Sequence, residues 1–333
     1  MAKIVSLMSR MYFKDPGTLA TLATVEEDLA FCTNFEPEQI IAAAKDAICL
    51  LVPAPYPLIT EEIINALPQL KLIQTAGAGY DKVDIQAAAR AGIPVSNTPG
   101  ENAISVAELV LAVIINLQRS MIGADRQIKK GGGRYQPVRE KILAHGTTEL
   151  SGSKWGIVGL GQLGSKVAQL GKMLGVEVSY FNRRRKLEIE EKLQINYLDL
   201  EELLAASDVV IVCMALAAET QKLIGAREMK LMKPTSLLVN VGRGGIVDEV
   251  ALVEALAAGQ IGGAALDTLE TEPLPDDHPV LALPEEILDR VFLTPHLGGV
   301  TVQALNRMLN TALENCLRVM KGEKPRAVVN GVE

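Results

Sequence analysis

Short apolar runs alternate along the chain with helix-length segments whose apolar residues recur every three to four positions, a pattern that predicts α/β architecture. In the first hundred residues, 3–7, 28–32, 47–52 and 71–74 read as strands, with 94–95 as a short fifth. Residues 37–44 and 60–66 between them read as helices. Residues 104–118 form one long helix that is apolar on nearly every face, which predicts a crossing between domains or packing on another subunit. GGGRYQ at 131–136 reads as a flexible polar stretch, and His145 falls in a polar loop.

A second series starts at Lys154, with strands over 155–160, 177–181, 208–214, 236–241, 262–266 and 290–293. Six strands with helices between them suit a doubly wound parallel sheet. Residues 302–320 form a last amphipathic helix. The two series share no repeat period, so two domains of roughly 100 and 190 residues are expected, with the last helix returning to the first.

Composition narrows the class of partner. The 333 residues are 48% hydrophobic and 22% charged, enough apolar content for two packed cores and too much for disorder. The net charge of −7, without a basic stripe, argues against nucleic acid. No stretch reaches the roughly 18 uncharged apolar residues of a membrane span, and the longest, 106–117, contains Glu108. Only a short apolar patch precedes Met8-Ser9-Arg10, too little for the core of a signal peptide, so a soluble cytoplasmic protein is expected. Cys32, Cys49, Cys213 and Cys316 lie far apart and read as reduced thiols. The three histidines lack metal-type spacing, so no metal site is expected.

Gly159-Leu160-Gly161-Gln162-Leu163-Gly164 follows an apolar strand and opens a helix, the context in which G-x-G-x-x-G has meaning. The first glycine permits the tight turn, the second lets a pyrophosphate approach the backbone, and the third lets helix and strand pack closely. About twenty residues on, where an NAD site places an acid on the ribose, the strand ends in Asn182-Arg183-Arg184-Arg185-Lys186. Cations there favour a 2′-phosphate, hence NADP over NAD, with Arg183 and Arg184 as its ligands. Arg185 and Lys186 read instead as the start of a solvated helix.

Three later strands end in residues with chemical capability: Arg243, then Asp267 and Glu272, then His296. Parallel strands put these on the edge that carries the phosphate turn. Arg243 suits a carboxylate or a polarised carbonyl, His296 a proton donor, and Glu272 an orienting partner for His296. The glycines flanking Arg243 suggest backbone close to a ligand. His278, in the polar DDHP turn, and His145 are weaker catalytic candidates.

TAGAGYDKVD at 75–84, NTPGENAISVAEL at 97–109, GIVGLGQLG at 156–164, NVGRGGIVDE at 240–249, ALDTLETEPLP at 265–275 and LTPHLGG at 293–299 together resemble the D-isomer-specific 2-hydroxyacid dehydrogenase family. The resemblance implies a substrate domain of flavodoxin type from residues 1–100 and 297–333. It also implies a dinucleotide-binding Rossmann domain over 101–296, with a cleft between the two. It assigns Arg243, Glu272 and His296 to catalysis, and Arg243 with the amides of Ala78 and Gly79 to the substrate carboxylate. Asp267 would meet the nicotinamide carboxamide, with Val241, Gly242, His296 and Gly298 also near the cofactor. The helix near Ile104 would join the domains and share in a homodimer built through the dinucleotide domain.

Departures from family patterns narrow the substrate. Members acting on phosphoserine precursors carry Arg where this chain has Thr75, phosphite oxidisers carry Lys at Ala78, and formate dehydrogenases carry Gln at Glu272. Asn182-Arg183-Arg184 resembles NADP-using glyoxylate and hydroxypyruvate reductases, whereas Cys213 and Ala217-Ala218 depart from the residues usual beside the adenine. The reading is therefore reduction of a small 2-keto acid by NADPH. The alternatives are another small anion (phosphite or 2-ketogluconate) or a non-catalytic NAD(P)-sensing protein.

Overall fold

In the computed structural model, which describes residues 3–13, 16–54 and 57–332, the apolar runs become two all-parallel sheets. The chain divides into two units, Met1–Asn102 with Gly299–Glu333, and Ala103–Gly298.

The first unit carries β1 (Ile4–Ser6), β2 (Leu29–Phe31), β3 (Cys49–Pro53), β4 (Leu72–Ala76) and β5 (Val95–Ser96) in the order β2-β1-β3-β4-β5. Each strand is short and apolar because both faces are covered. One face packs against Ile40, Ile63, Ile64 and Ala87 from the flanking helices. The other receives Leu309, Ala312, Leu313 and Cys316 of the Val302–Met320 helix, capped by Thr301, whose hydroxyl accepts from the Ala304 amide.

The second unit carries β6 (Lys154–Val158), β7 (Glu177–Phe181), β8 (Asn196–Tyr197), β9 (Val209–Val212), β10 (Leu237–Asn240), β11 (Gly263–Leu266) and β12 (Val291–Leu293). Their order is β12-β11-β10-β9-β6-β7-β8, which reverses direction between β6 and β9. Such a switch point opens a crevice at the carboxyl ends of the strands. Val158 pairs with Val212, Val212 with Asn240, Asn240 with Leu266 and Leu266 with Leu293, so five strands end level.

Three local readings are corrected. The Ala103–Arg119 helix does not need a second subunit to cover it. Val106, Ala107, Val110, Val113 and Ile114 bury against Trp155, Ile157, Val209 and Ile211 of the unit's own sheet. The stretch after it is not all loop. Helices Met121–Lys129 and Tyr135–His145 flank Gly131, Gly132 and Gly133, all in the left-handed region, and His145 ends the second helix. Ion pairs of Arg126, Lys130 and Lys141 with Glu285 or Asp289 hold both helices, and periodicity does not register such contacts. The seventh strand, β8, escaped because two residues are too few to show a period. Among the described residues no single helix is long and apolar enough to cross a membrane.

Candidate active site

The three glycines of the turn after β6 are required for three different reasons. Gly159 has φ of +103°, and a Cβ there would lie 2.6 Å from Met214 Cγ and 3.1 Å from the Cys213 carbonyl, across the switch point. A Cβ on Gly164 would collide with the Gly159 carbonyl, so helix and turn meet backbone to backbone. A Cβ on Gly161 would meet no atom within 4 Å. Packing therefore does not demand a glycine there; the open space above it is what an approaching pyrophosphate would use. Gly161 caps the Gln162–Met173 helix, with Gln162 and Leu163 in the first turn, where unpaired N–H groups and the helix dipole attract an anion. These features fit a dinucleotide.

At the end of β7, the Asn182 amide donates to the Arg184 carbonyl at 2.9 Å, shaping the turn. Arg185 is consumed by the fold: it forks onto Glu190 at 2.6 and 3.1 Å and lies 5.3 Å from the centre of the Tyr197 ring. Its hydrogen bond, with a second from the Tyr180 hydroxyl, holds the Glu190 carboxyl below the usual range. Arg183 and Arg184 are exposed, and their side chains pair with no described residue. Beside β9, desolvation pushes the Cys213 thiol above its ordinary value.

The level ends of β10, β11 and β12 bring the ionisable residues together. Asn240 clamps the turn after β10, accepting from the Gly242 amide at 3.1 Å and donating to the Arg243 carbonyl at 2.9 Å. Gly242 and Gly244 are glycines because Cβ atoms there would strike the Met214 backbone and the Leu269–Glu270 peptide. The chain itself is thus a close neighbour of both glycines, a reason for glycine that the sequence pattern does not show. Val241 continues the ladder, its amide donating to the Val212 carbonyl at 3.2 Å.

Glu272 Oε1 accepts from the Leu269 amide at 2.9 Å, and Oε2 lies 2.9 Å from His296 Nδ1. Burial alone would push this carboxyl up. The His296 hydrogen bond, the Leu269 amide and the charges of His296 and Arg243 outweigh it, and the group is held below the usual carboxylate range. His296 itself has φ of +54°, an uncommon conformation for a residue with a side chain and one concentrated at functional sites. The buried Asp267 maintains it. Its Oδ1 accepts from Thr294 Oγ1 at 2.7 Å and the Leu297 amide at 2.8 Å, and its Oδ2 accepts from the Gly298 amide at 3.0 Å. Asp267 thus spends both oxygens on the loop that carries His296.

Ala78 and Gly79 lie in the turn after β4 of the first unit, and their amides donate to no described residue. The Asn97 side chain holds the Ala78 carbonyl at 2.8 Å. Sequence reasoning passed over Asn240 and Thr294, whose signals are only an Asn before Gly-Arg-Gly and a Thr before Pro-His. It also passed over Glu249, which the structure buries against the weak candidate His278. Among the described residues no cluster could hold a metal ion.

Comparison with known proteins gives a consistent neighbourhood. The model of the D-isomer specific 2-hydroxyacid dehydrogenase NAD-binding domain matches residues 111–298. A glyoxylate reductase of Aeropyrum pernix is 38% identical over 311 residues, covering 91% of this chain and 90% of its own length. The crystal structure of a glyoxylate reductase from Paecilomyes thermophila superposes with a TM-score of 0.82 at 27% identity, covering 97% of each chain. An acyclic imino acid reductase in complex with NADPH and D-Arg gives 0.84 at 26% identity, covering 98% of this chain and 99% of its own.

Because the folded-state value of Glu272 is depressed, its contribution to stability is present above the ordinary carboxylate range and lost as pH falls through that lower value. Glu272→Gln removes this contribution. The difference in unfolding temperature between the two proteins should therefore narrow below about pH 4; a difference constant from neutral pH to about 3 would show that the carboxylate is not held in this way.

Proposed function

Because the chain belongs to the D-isomer-specific 2-hydroxyacid dehydrogenase family, we propose that it reduces a small 2-keto acid of the glyoxylate or hydroxypyruvate type with NADPH, giving the D-2-hydroxy acid. The observation that carries this reading is the 2.9 Å contact of Glu272 with His296, set beside the charge of Arg243. A bound nicotinamide supplies hydride to the carbonyl carbon. His296 has Nδ1 engaged by Glu272, which leaves Nε2 to give the carbonyl oxygen its proton. Glu272 fixes the ring and decides which nitrogen is presented. Arg243 receives the substrate carboxylate and carbonyl oxygen through charge-assisted hydrogen bonds, and the unengaged amides of Ala78 and Gly79 are assigned to the carboxylate.

For the cofactor, the Gly161 approach and the first turn of the Gln162–Met173 helix take the pyrophosphate, and Arg183 with Arg184 takes the 2′-phosphate. The resemblance assigns Val241, Gly242, Asp267 and Gly298 to the nicotinamide end. The substrate named for the glyoxylate reductase relatives and the NADPH of the imino acid reductase complex support this choice. We further propose a homodimer through the second unit, whose helices Met121–Lys129 and Tyr135–His145 expose Met121, Ile122, Tyr135 and Leu143.

The direct test follows NADPH absorbance with glyoxylate and with hydroxypyruvate, NADH in parallel. Oxidation of NADPH by one of them is expected; silence with both, alongside tight NADPH binding, would turn the reading toward phosphite, 2-ketogluconate or a sensing role. His296→Ala should lower turnover about 10²- to 10⁴-fold with NADPH affinity kept, and undiminished turnover would remove His296 from the chemistry. Arg183→Asp should shift the cofactor ratio toward NADH; an unchanged ratio would move the assignment to Arg184. Light scattering should give twice the mass of one chain, and a single-chain mass would refute the dimer.

A further inference from the structure

The second unit contains another carboxylate–histidine pair, and the proposed reaction does not use it directly. Glu249 opens the Glu249–Ala257 helix and is only 6% exposed, and His278 sits in the turn that follows the Glu272 segment. Glu249 Oε2 lies 2.8 Å from His278 Nε2, and both side chains are almost fully removed from solvent. The other ring nitrogen identifies the tautomer. Val280 N–H can only donate, and it points at His278 Nδ1 at 3.3 Å, so Nδ1 accepts and Nε2 carries the proton that Glu249 receives. The ring therefore bridges the Glu249 carboxyl group to a backbone amide.

The second oxygen of Glu249 shows what the pair is for. Glu249 Oε1 accepts from the Glu270 amide at 2.6 Å, while the preceding amide, of Leu269, donates to Glu272 at 2.9 Å. Consecutive N–H groups are thus shared between a buried carboxylate and the carboxylate that holds His296. The peptide joining them is also the one against which Gly244, next to Arg243, packs without room for a Cβ. This peptide meets the Arg243 turn on one side and the Glu249 carboxylate on another. Glu249 grips the segment from 270 to 278 at both ends, and Glu272 lies inside the grip.

We propose that Glu249 and His278 form a positioning clamp that sets the Leu269–Glu270 peptide and, through it, the distance from Glu272 to His296. The clamp acts through Glu272 and does not touch the substrate. It rests on the reading of Glu272 and His296 as the proton-transfer pair.

The test uses the full chain with Glu249→Gln and His278→Gln. In Glu249→Gln the oxygen can still accept from Glu270, but the new amide N–H₂ faces the Nε2 proton of His278, so the pair is set donor against donor. Amide exchange over residues 269–280 should quicken by about tenfold in both variants. Turnover should fall about 10- to 100-fold, with the KM for the 2-keto acid and the affinity for NADPH within about twofold of wild type. Adding Glu249→Gln to Glu272→Gln should cost much less than Glu249→Gln costs alone, because the clamp acts chiefly through Glu272. Undiminished turnover in both variants, unchanged exchange, or a full additional loss in the double variant would overturn the clamp. If Glu272→Gln itself retains wild-type turnover, the catalytic reading falls, while the exchange measurement still decides whether Glu249 and His278 hold the peptide.

Discussion

The level ends of the central strands of the second sheet are the constraint on which the site depends. Parallel register sets Asn240 beside Leu266 and Leu266 beside Leu293. The residues that follow, up to Arg243, Glu272 and His296, therefore leave the sheet from one line. A slip of one residue in β12 would carry the His296 loop along the strand by about 3.3 Å, more than the whole hydrogen bond to Glu272. The apolar faces oppose such a slip: in β12, Val291 and Leu293 pack against one core while Phe292 packs against the other. A slip would exchange those faces. Hydrophobic burial thus sets the spacing of groups that share no apolar contact.

Above that line, polar groups complete what register begins. Asp267 gathers the His296 loop with three hydrogen bonds, Asn240 closes the Arg243 turn with two, and Glu249 takes the Glu270 amide. Hydrogen bonds to an ionised group contribute about 1.5–3 kcal/mol each, which is of the order needed to hold a histidine at a positive φ. The same competition decides the state of Glu272, where burial favours the neutral acid and the neighbouring donors and positive charges prevail. The carboxylate therefore stays ionised beside His296.

How much was legible before folding can be judged at particular residues. The strand over 177–181 and the helices over 37–44 and 302–320 carry the right boundaries, because each mixes apolar and polar positions in a way that shows its period. Helix Tyr135–His145 did not: its residues have no marked apolar face, and its one described ion pair, Lys141 with Asp289, joins residues far apart in the chain. Arg243 was singled out partly for its flanking glycines, yet these serve contacts with Met214 and with the Leu269–Glu270 peptide. Gly161 is the glycine that packing leaves unexplained, and it lies in the phosphate turn.

By itself the sequence determined the α/β class, the phosphate-binding turn, the cations after β7 and the motif residues of the edge, because each is a local pattern of residue types in one stretch of chain. Only the tertiary structure decided that Arg185 belongs to Glu190 while Arg183 and Arg184 stand clear, that Asp267 spends its carboxylate on a loop, and that Glu249 meets His278. These pairings join residues five to thirty-one positions apart, and no period or propensity records them. They arise around strands of fixed register, and which carboxylate reaches which donor depends on distances that exist only once the second sheet and its flanking segments have packed.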